Sequence, residues 1–261
     1  MTTIYMPQGK AREYSPLALN LYSGCDHGCT YCYVEPMFKR FNKNYVHSDV
    51  SLRKNILNEL EKGAKKWKNE KSQVLLSFTG DPYCHHNESI KATREALNIL
   101  YKNKFPVAVL TKGGSRCLQD LDIFKKFGNN IKVGATLTFT SYNEIEKNAS
   151  LPSDRLKTLE ILHENGINTW ASFEPVINLE QSLELIVSTL DYVDAYKIGK
   201  WNHSKEAKKI DWQSFVEKAV NILRSAKKEF YIKHDLRACT KIELLDKESD
   251  MDYLSIGGWN G

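Results

Sequence analysis

Short apolar runs alternate along most of the chain with longer segments of helical periodicity. The apolar runs are nearly free of polar residues, which is typical of parallel strands that are buried on both faces. Because strands and helical segments alternate six times, the pattern predicts a parallel sheet of the α/β class. The predicted strands are residues 17–22, 73–79, 105–111, 131–138, 167–173 and 192–198.

Between and after these strands, apolar residues recur every three or four positions, which predicts amphipathic helices over 52–67, 90–100, 156–162, 183–190 and 212–226. Asp211 stands directly before the last of these and is its expected N-cap. Pro152 near the start of one helix and Gly166 just past its end follow the usual asymmetry of helix termini. Six such units with right-handed crossovers form either an open twisted sheet or three-quarters of a barrel.

Polar side chains follow each predicted strand. The carboxyl ends of parallel strands meet at one edge, which is where ligands bind in both kinds of fold. We therefore expect residues that are distant in sequence to share one rim. They are Cys25, Cys29, Cys32, Thr79, Gly80, Asp81, Pro82, Thr111, Lys112, Thr136, Thr138, Ser172, Glu174, Pro175, Lys197 and Gly199.

Composition agrees with a folded domain. Hydrophobic residues make up 41% and charged residues 26% of the 261 positions, with 14 Gly and 7 Pro, which excludes collagen-like and disordered classes. No Pro/Gly/Ser-rich linker divides the chain, so we expect a single domain over 1–261 with its core over 17–200, and the pattern assigns no role to 230–261. A net charge of +5 permits an anionic substrate without indicating one.

The expected location is the cytoplasm, without membrane association. No apolar run approaches the 18 or so residues that a membrane span needs, and the first 24 residues lack a signal-peptide layout. Thiols stay reduced in that compartment, so the six cysteines require an explanation other than disulfides. Cys84, Cys117 and Cys239 are scattered, which is typical of buried packing residues.

Cys25, Cys29 and Cys32 are clustered within eight residues, which indicates a metal centre. Zinc is one alternative, although a structural zinc site needs four ligands and usually takes them as two separated pairs. The fourth zinc ligand would be His27, or a member of the group Cys84, His85 and His86. An iron–sulfur cube of four irons held by three cysteines instead leaves one iron open for chemistry.

The C-x3-C-x2-C spacing, with Tyr31 before the last cysteine, resembles the signature of the radical SAM superfamily. The resemblance implies a partial (β/α)6 TIM-like barrel with mostly parallel strands, a 4Fe-4S cluster and S-adenosylmethionine (SAM) as cosubstrate. It further implies that the open iron binds the SAM amino and carboxylate groups. An electron from the cluster then cleaves SAM to methionine and a 5'-deoxyadenosyl radical, which takes hydrogen from a substrate.

Residues 77–82 lie where the radical SAM family has its glycine-containing motif, and motifs at 109–112, 149–156 and 172–175 together resemble the spore photoproduct lyase-like, or DNA-repair-photolyase-like, subgroup. The resemblance implies that 77–82 meets the SAM amino group, that Lys112 faces the carboxylate, and that Thr136 faces a ribose hydroxyl or the carboxylate. The full set of cofactor-binding residues expected on this basis is Tyr31, Thr79, Gly80, Asp81, Lys112, Thr136, Ser172 and Glu174.

Each of these residues also has an ordinary structural interpretation. Asp81 with Pro82 is a common turn opener, and Lys112 is followed by two glycines that suit a plain loop. Glu174 before Pro175 is equally suited to ending a strand. Tyr31 is also suited to a core position.

The chain departs from the subgroup at one position. Spore photoproduct lyases carry a hydrogen-donating cysteine just after the second strand, where this chain has Phe78. Because the donor is absent from that position, the resemblance does not imply repair of thymine dimers. Cys84 and Tyr83 are the catalytic candidates nearby, with Cys84 as the hydrogen donor and Tyr83 as a relay.

The chain has no second cluster motif and no G-x-G-x-x-G fingerprint, so an external electron donor of flavodoxin or ferredoxin type is the expected partner. Nucleic acid, peptide and small metabolite all stay open as substrates. A non-catalytic iron–sulfur or zinc-binding protein is the alternative from another functional class.

Overall fold

The structure is a computed structural model that describes residues 3–67, 72–202 and 204–249. Its strands agree with the alternating pattern of the sequence, although most are shorter than the apolar runs. They are β1 (Ile4–Tyr5), β2 (Leu17–Leu19), β3 (Tyr22–Ser23), β4 (Ser51–Leu52), β5 (Val74–Leu76), β6 (Val107–Thr111), β7 (Ile131–Thr136), β8 (Asn168–Val176), β9 (Ala195–Lys200) and β10 (Glu229–Ile232).

Eight of these strands form one sheet in the order β1-β2-β5-β6-β7-β8-β9-β10, and β3 pairs with β4 in a small separate sheet. Every pairing in the large sheet is parallel except that of β1 with β2. Within the described residues the edge strands β1 and β10 do not pair with each other, so the barrel is partial and unclosed. The predicted α/β fold with a mostly parallel, TIM-like partial barrel is confirmed.

Two predicted features of the sheet need revision. The pattern predicts six parallel strands, whereas β10 adds a seventh, at the start of the segment that had no assigned role. The first predicted strand is split into β2 and β3. Between these two strands the Asn20 side chain accepts hydrogen bonds from the Phe78 and Thr79 amides, at 2.8 and 3.1 Å, in place of a backbone ladder.

The helices follow the predicted periodicity. Pro152 is the first residue of one helix, Gly166 has a φ of +74° just beyond its end, and the Asp211 side chain accepts from the Ser214 amide at 3.1 Å. The helices are α1 (Val34–Lys39), α2 (Ile56–Lys66), α3 (Asn87–Lys102), α4 (Leu121–Phe127), α5 (Pro152–Glu164), α6 (Leu179–Ser188), α7 (Trp212–Ser225), α8 (His234–Arg237) and α9 (Asp246–Ser249).

The sequential strand order places the crossover helices on one face of the sheet. Two large apolar clusters lie between the helices and that face, and Cys117 is buried in one of them, as predicted. The inner face is filled more sparsely, by Leu75, Ala108 and Trp170. A side chain at Gly134 would come within 2.5 Å of Trp170, so the glycine is what lets the indole lie against β7. The inner face therefore keeps room for polar groups and a ligand.

No helix in the described ranges is both long and apolar enough to cross a lipid bilayer.

The N-cap of α7 gives a test of the fold assignment. We expect Asp211→Ala to lower the free energy of unfolding by about 1 kcal/mol, because the Ser214 amide loses its side-chain acceptor. Urea unfolding followed by circular dichroism measures the change. Asp191→Ala, at an exposed loop position, is the matched control. Equal losses in the two variants would contradict the capping assignment.

Candidate active site

A cavity of about 560 Å³ opens at the carboxyl ends of the parallel strands. It brings together all three clustered cysteines and all eight predicted cofactor-binding residues, which lie on loops and strand ends separated by up to 150 positions. These wall residues are Cys25, Cys29, Cys32, Tyr31, Thr79, Gly80, Asp81, Lys112, Thr136, Ser172 and Glu174.

The cysteine loop follows β3, and backbone contacts within the loop and with residues 47–49 define its path. Gly24 has a φ of +83°, and a side chain there would come within 2.4 Å of the Asp49 carbonyl oxygen. The Cys25 amide donates to the His47 carbonyl at 2.6 Å, and the Cys32 amide donates to the Cys29 carbonyl at 3.1 Å. The conformation of the loop is therefore supported by hydrogen bonds and packing within the chain.

The three thiols are half-buried and not in disulfides. Burial raises the pKa of each, and the neighbouring Asp81 charge raises the pKa of Cys25 further. The Lys112 ammonium acts in the opposite direction on Cys29 and Cys32, since a nearby cation favours the thiolate. Lys112 thus places a positive charge beside Cys29 and Cys32, which favours anionic groups there.

The spacing of the sulfurs distinguishes between a single ion and a cluster. Three thiolates on one tetrahedral zinc lie about 3.8 Å apart, given a Zn–S bond of about 2.3 Å. The described residues contain only one set of three ligand atoms that all lie within 4.8 Å of one another, and the cysteines do not form it. A cube of four irons fits wider spacing, because each thiolate binds a different iron. The donor set therefore fits a cluster better than one zinc ion.

The set that does converge is Asp26 and His27, within the cysteine loop, together with His85 from the loop after β5. The Arg116 guanidinium already joins its two imidazoles, at 3.1 Å from His27 Nε2 and 2.9 Å from His85 Nε2. Burial lowers the pKa of His27, and the Lys112 and Arg116 charges lower it further. The group is thus an arginine-centred hydrogen-bond network.

Asp81 is held by groups within the chain. One carboxylate oxygen accepts from the Tyr83 amide at 2.8 Å and from Thr111 Oγ1 at 2.6 Å, and the other accepts from the Lys112 amide at 2.7 Å. His27 Nδ1 lies 3.5 Å from the second oxygen. These bonds join the cysteine loop, the loop after β5 and the end of β6. The predicted contact of Asp81 with an ammonium group stays a prediction.

Gly80 lies against the cysteine loop. A side chain there would come within 2.7 Å of the Gly24 carbonyl oxygen, so the two backbones are in close contact. Ser77 Oγ donates to the Gly80 carbonyl at 2.7 Å, and Arg53 donates to Thr79 Oγ1 at 3.2 Å. Packing within the chain thus requires a glycine at position 80. Gly80 lies on the cavity wall that the sequence analysis predicts to bind SAM.

Lys112 and Tyr31 share one wall of the cavity, with Lys112 Nζ 5.5 Å from the centre of the Tyr31 ring. Burial alone lowers the pKa of Lys112, but the Cys29 and Glu146 charges outweigh it, so the net shift is upward and the group is a cation. The Tyr31 hydroxyl donates to Glu146, which forms an ion pair with Arg155 at 2.7 Å. Both side chains of that pair are at least 97% buried.

The wall formed by β8 carries a second polar group. The Tyr14 hydroxyl donates to Glu174 Oε2 at 2.6 Å and lies 2.9 Å from Ser172 Oγ. Lys233 Nζ donates to the same Glu174 oxygen at 2.6 Å and lies 4.5 Å from the centre of the Tyr14 ring. Thr136, buried on the neighbouring strand β7, pairs with Ser172 in the sheet register.

Tyr83 and Cys84, the predicted catalytic pair, lie outside the residues that line the cavity. Both are 0% exposed and belong to the apolar cluster under the helices. The Tyr83 hydroxyl donates to Asp120 at 2.8 Å, and burial followed by the Asp120 charge raises its pKa well above the usual value. Their catalytic role stays a prediction that this placement does not support.

The side chains at the site that sequence reasoning missed include Tyr14, His47, Glu146 and Lys233. Lys233 follows the run Phe-Tyr-Ile just as Lys112 follows β6, so the strand-end rule would have found it had β10 been predicted. Tyr14 and Glu146 lie in segments without periodicity. They meet their partners across 160 and 115 positions, and no local pattern records such contacts.

The chain is similar in sequence or in fold to several known proteins. An uncharacterized protein of Methanocaldococcus jannaschii is 32% identical over 162 residues, which are 61% of this chain and 60% of the relative. A spore photoproduct lyase variant with bound AdoMet and dinucleoside spore photoproduct superposes with a TM-score of 0.60 at 15% identity, over 79% of this chain and 61% of that one. Streptococcus suis SuiB bound to precursor peptide SuiA gives 0.63 at 13% identity, over 88% and 52%.

At these identities the two structural likenesses concern the fold, and the chain spans about 60% of the length of the archaeal relative. The family assignment rests on a different comparison. The family model that describes the Radical SAM superfamily matches residues 19–193, which include the cysteine loop and the strands from β3 to β8. Because this match covers well over half of the chain, the protein belongs to the radical SAM superfamily.

Proposed function

We propose that this protein is an enzyme that cleaves SAM reductively at a 4Fe-4S cluster and uses the resulting radical to take a hydrogen atom from a substrate in the cavity. The observation that carries the proposal is that the three motif cysteines and the eight predicted SAM-binding residues line one cavity. When bound, the cluster supplies the single electron that breaks a carbon–sulfur bond of SAM, giving methionine and the 5'-deoxyadenosyl radical.

The chain's own residues bind and orient the reactants. Cys25, Cys29 and Cys32 would hold the cluster through their thiolates, and three ligands would leave one iron free to bind SAM. Lys112, a cation beside Cys29, binds the SAM carboxylate, while the backbone around Gly80 forms the adjoining wall. Tyr31, fixed by the buried Glu146–Arg155 pair, gives SAM a rigid aromatic surface.

The substrate binds against the β8 wall. Tyr14, Glu174 and Lys233 present a hydroxyl, a carboxylate and an ammonium group there, already bonded to one another and so held in place. The remaining lining is rich in aromatic side chains, on which flat rings stack favourably. Because Lys10 and Lys200 accompany these rings, nucleic acid is the substrate class that we favour. The aromatic residues concerned are Tyr5, Tyr14, Tyr33, Phe78 and Trp201.

Anaerobic reconstitution with iron and sulfide tests the proposal. We expect about four irons per chain and, with dithionite and SAM, formation of 5'-deoxyadenosine. Cys29→Ala should lose both while its circular dichroism spectrum is unchanged, because the ligands lie on a loop. Cys239→Ala, which alters a half-buried thiol outside the motif, should keep both. Zinc in place of iron, or an iron-loaded protein that forms no 5'-deoxyadenosine, would overturn the proposal.

The role of Lys112 is tested by SAM affinity, measured calorimetrically on the reconstituted protein without oxygen. Lys112→Met should weaken binding about 10- to 100-fold, because a hydrogen bond to a charged group contributes about 1.5–3 kcal/mol. Lys112→Arg should recover part of the loss, and Lys125→Met, at an exposed position of α4, should cause none. Unchanged affinity in Lys112→Met would refute the carboxylate contact.

Cys84 is tested separately. We expect Cys84→Ala to bind iron and form 5'-deoxyadenosine at the wild-type rate, because the thiol lies outside the cavity lining. The equally buried Cys117→Ala controls for loss of packing. A complete loss of iron and cleavage in Cys84→Ala alone would instead make Cys84 a cluster ligand.

A further inference from the structure

The segment 34–46, directly after the third cysteine, has two dissimilar sides. On one side, Val34 and Met37 of α1 line the cavity. On the other, Phe41 is 86% exposed, the highest value among the large hydrophobic residues that the structure reports as exposed. An aromatic ring left in water so close to a reactive centre suggests an interaction surface.

The exposed side is also positively charged. Lys39, Arg40 and Lys43 are all exposed, and the only acidic residue between positions 34 and 46 is Glu35. Glu35 forms an exposed pair with Lys39 at 2.8 Å. Across the described part of the chain, no carboxylate forms an ion pair with Arg40 or Lys43. The segment therefore presents a net positive field, which attracts acidic partners.

A short series of contacts connects this segment to a cysteine sulfur. Cys32 Sγ lies 3.6 Å from His47 Nε2, and His47 Nδ1 lies 2.8 Å from the Tyr45 hydroxyl. If the Tyr45 hydroxyl donates to Nδ1, the imidazole carries its hydrogen on Nε2, facing the sulfur. The Tyr45 ring in turn stacks on Phe38, with 4.9 Å between ring centres. A ligand sulfur is thus only two side chains away from the exposed surface.

We propose that segment 34–46 is the docking surface for an acidic electron-carrier protein that bears a flavin or an iron–sulfur centre. The proposal rests on the proposed function, because only a redox cluster needs this partner. In the transfer the carrier is oxidised by one electron and the cluster is reduced by one, with no bond formed or broken. Since α1 presents its other side to the cavity, the carrier and the substrate bind without competing.

Charge reversal tests the surface. The variant K39E/R40E/K43E is compared with K102E/K125E/K126E, which makes the same charge change at exposed positions near the carboxyl ends of α3 and α4. Those helices end just before β6 and β7 begin, so the control lies at the opposite end of the sheet from the cysteine loop. Neither set includes a residue of the cavity wall.

The probe is reduced flavodoxin, and the readout is the stopped-flow rate of bleaching of the oxidised cluster at low ionic strength. We expect a rate at least tenfold lower for K39E/R40E/K43E, a rate within twofold of wild type for the control, and a smaller difference at high salt because screening weakens charge attraction. Equal rates for the two variants, or a tenfold loss in the control, would overturn the docking surface.

A parallel measurement with dithionite separates the two proposals, since a small reductant needs no docking surface. All three proteins should form 5'-deoxyadenosine equally with dithionite. If wild type forms none, the proposed function fails. If all form it and flavodoxin still reduces K39E/R40E/K43E as fast as wild type, only the docking inference fails.

Discussion

The arrangement of the site depends on the hydrogen bonds that the Asp81 carboxylate accepts. The carboxylate accepts from two backbone amides and a threonine hydroxyl, and it lies beside His27 of the cysteine loop. Hydrogen bonds to a charged group contribute about 1.5–3 kcal/mol each, and a buried donor left without its acceptor costs about as much. Three segments from different parts of the chain are therefore fixed relative to one another by a single side chain, and the positions of Lys112 and Cys25 follow from it.

A second constraint arises from the inner face of the sheet, which carries charges that a closed apolar core would exclude. Burial lowers the pKa of Lys197 well below its usual value, and nearby Lys132 and Lys233 lower it further. Its ammonium group donates to the Glu13 and Tyr14 carbonyls, at 2.7 and 2.8 Å. The segment before β2 thus satisfies a buried lysine and at the same time brings Tyr14 to the β8 wall. The same short segment thus links the β2 end of the sheet to β9 and supplies part of the β8 wall.

Much of this was predictable from sequence, for identifiable reasons. Buried parallel strands are largely apolar, so the apolar runs located β2 and every strand from β5 to β9, and the strand-end rule identified most of the polar residues of the cavity wall. Strand β10 was not predicted because the residues after it show no further helical repeat. Asp81 was assigned to a ligand because its type and place suit one, whereas its oxygens are occupied by amides whose positions depend on loop conformation. Glu146 was missed because it acts through a buried ion pair with Arg155, and the positions of both residues depend on tertiary contacts.

The same geometry bears on how a radical enzyme controls where its radical forms. Electrons must enter from outside, whereas the radical must arise away from water and beside the substrate. Under the docking proposal, segment 34–46 separates these requirements, with Val34 and Met37 at the cavity and Lys39 and Arg40 at the surface. The β8 wall, with Glu174 bonded to both Tyr14 and Lys233, belongs to the opposite half of the large sheet from β2, the last strand of that sheet before the cysteine loop. If both proposals hold, reduction and hydrogen abstraction use different walls, so evolution can change the substrate wall without altering the route by which the cluster is reduced.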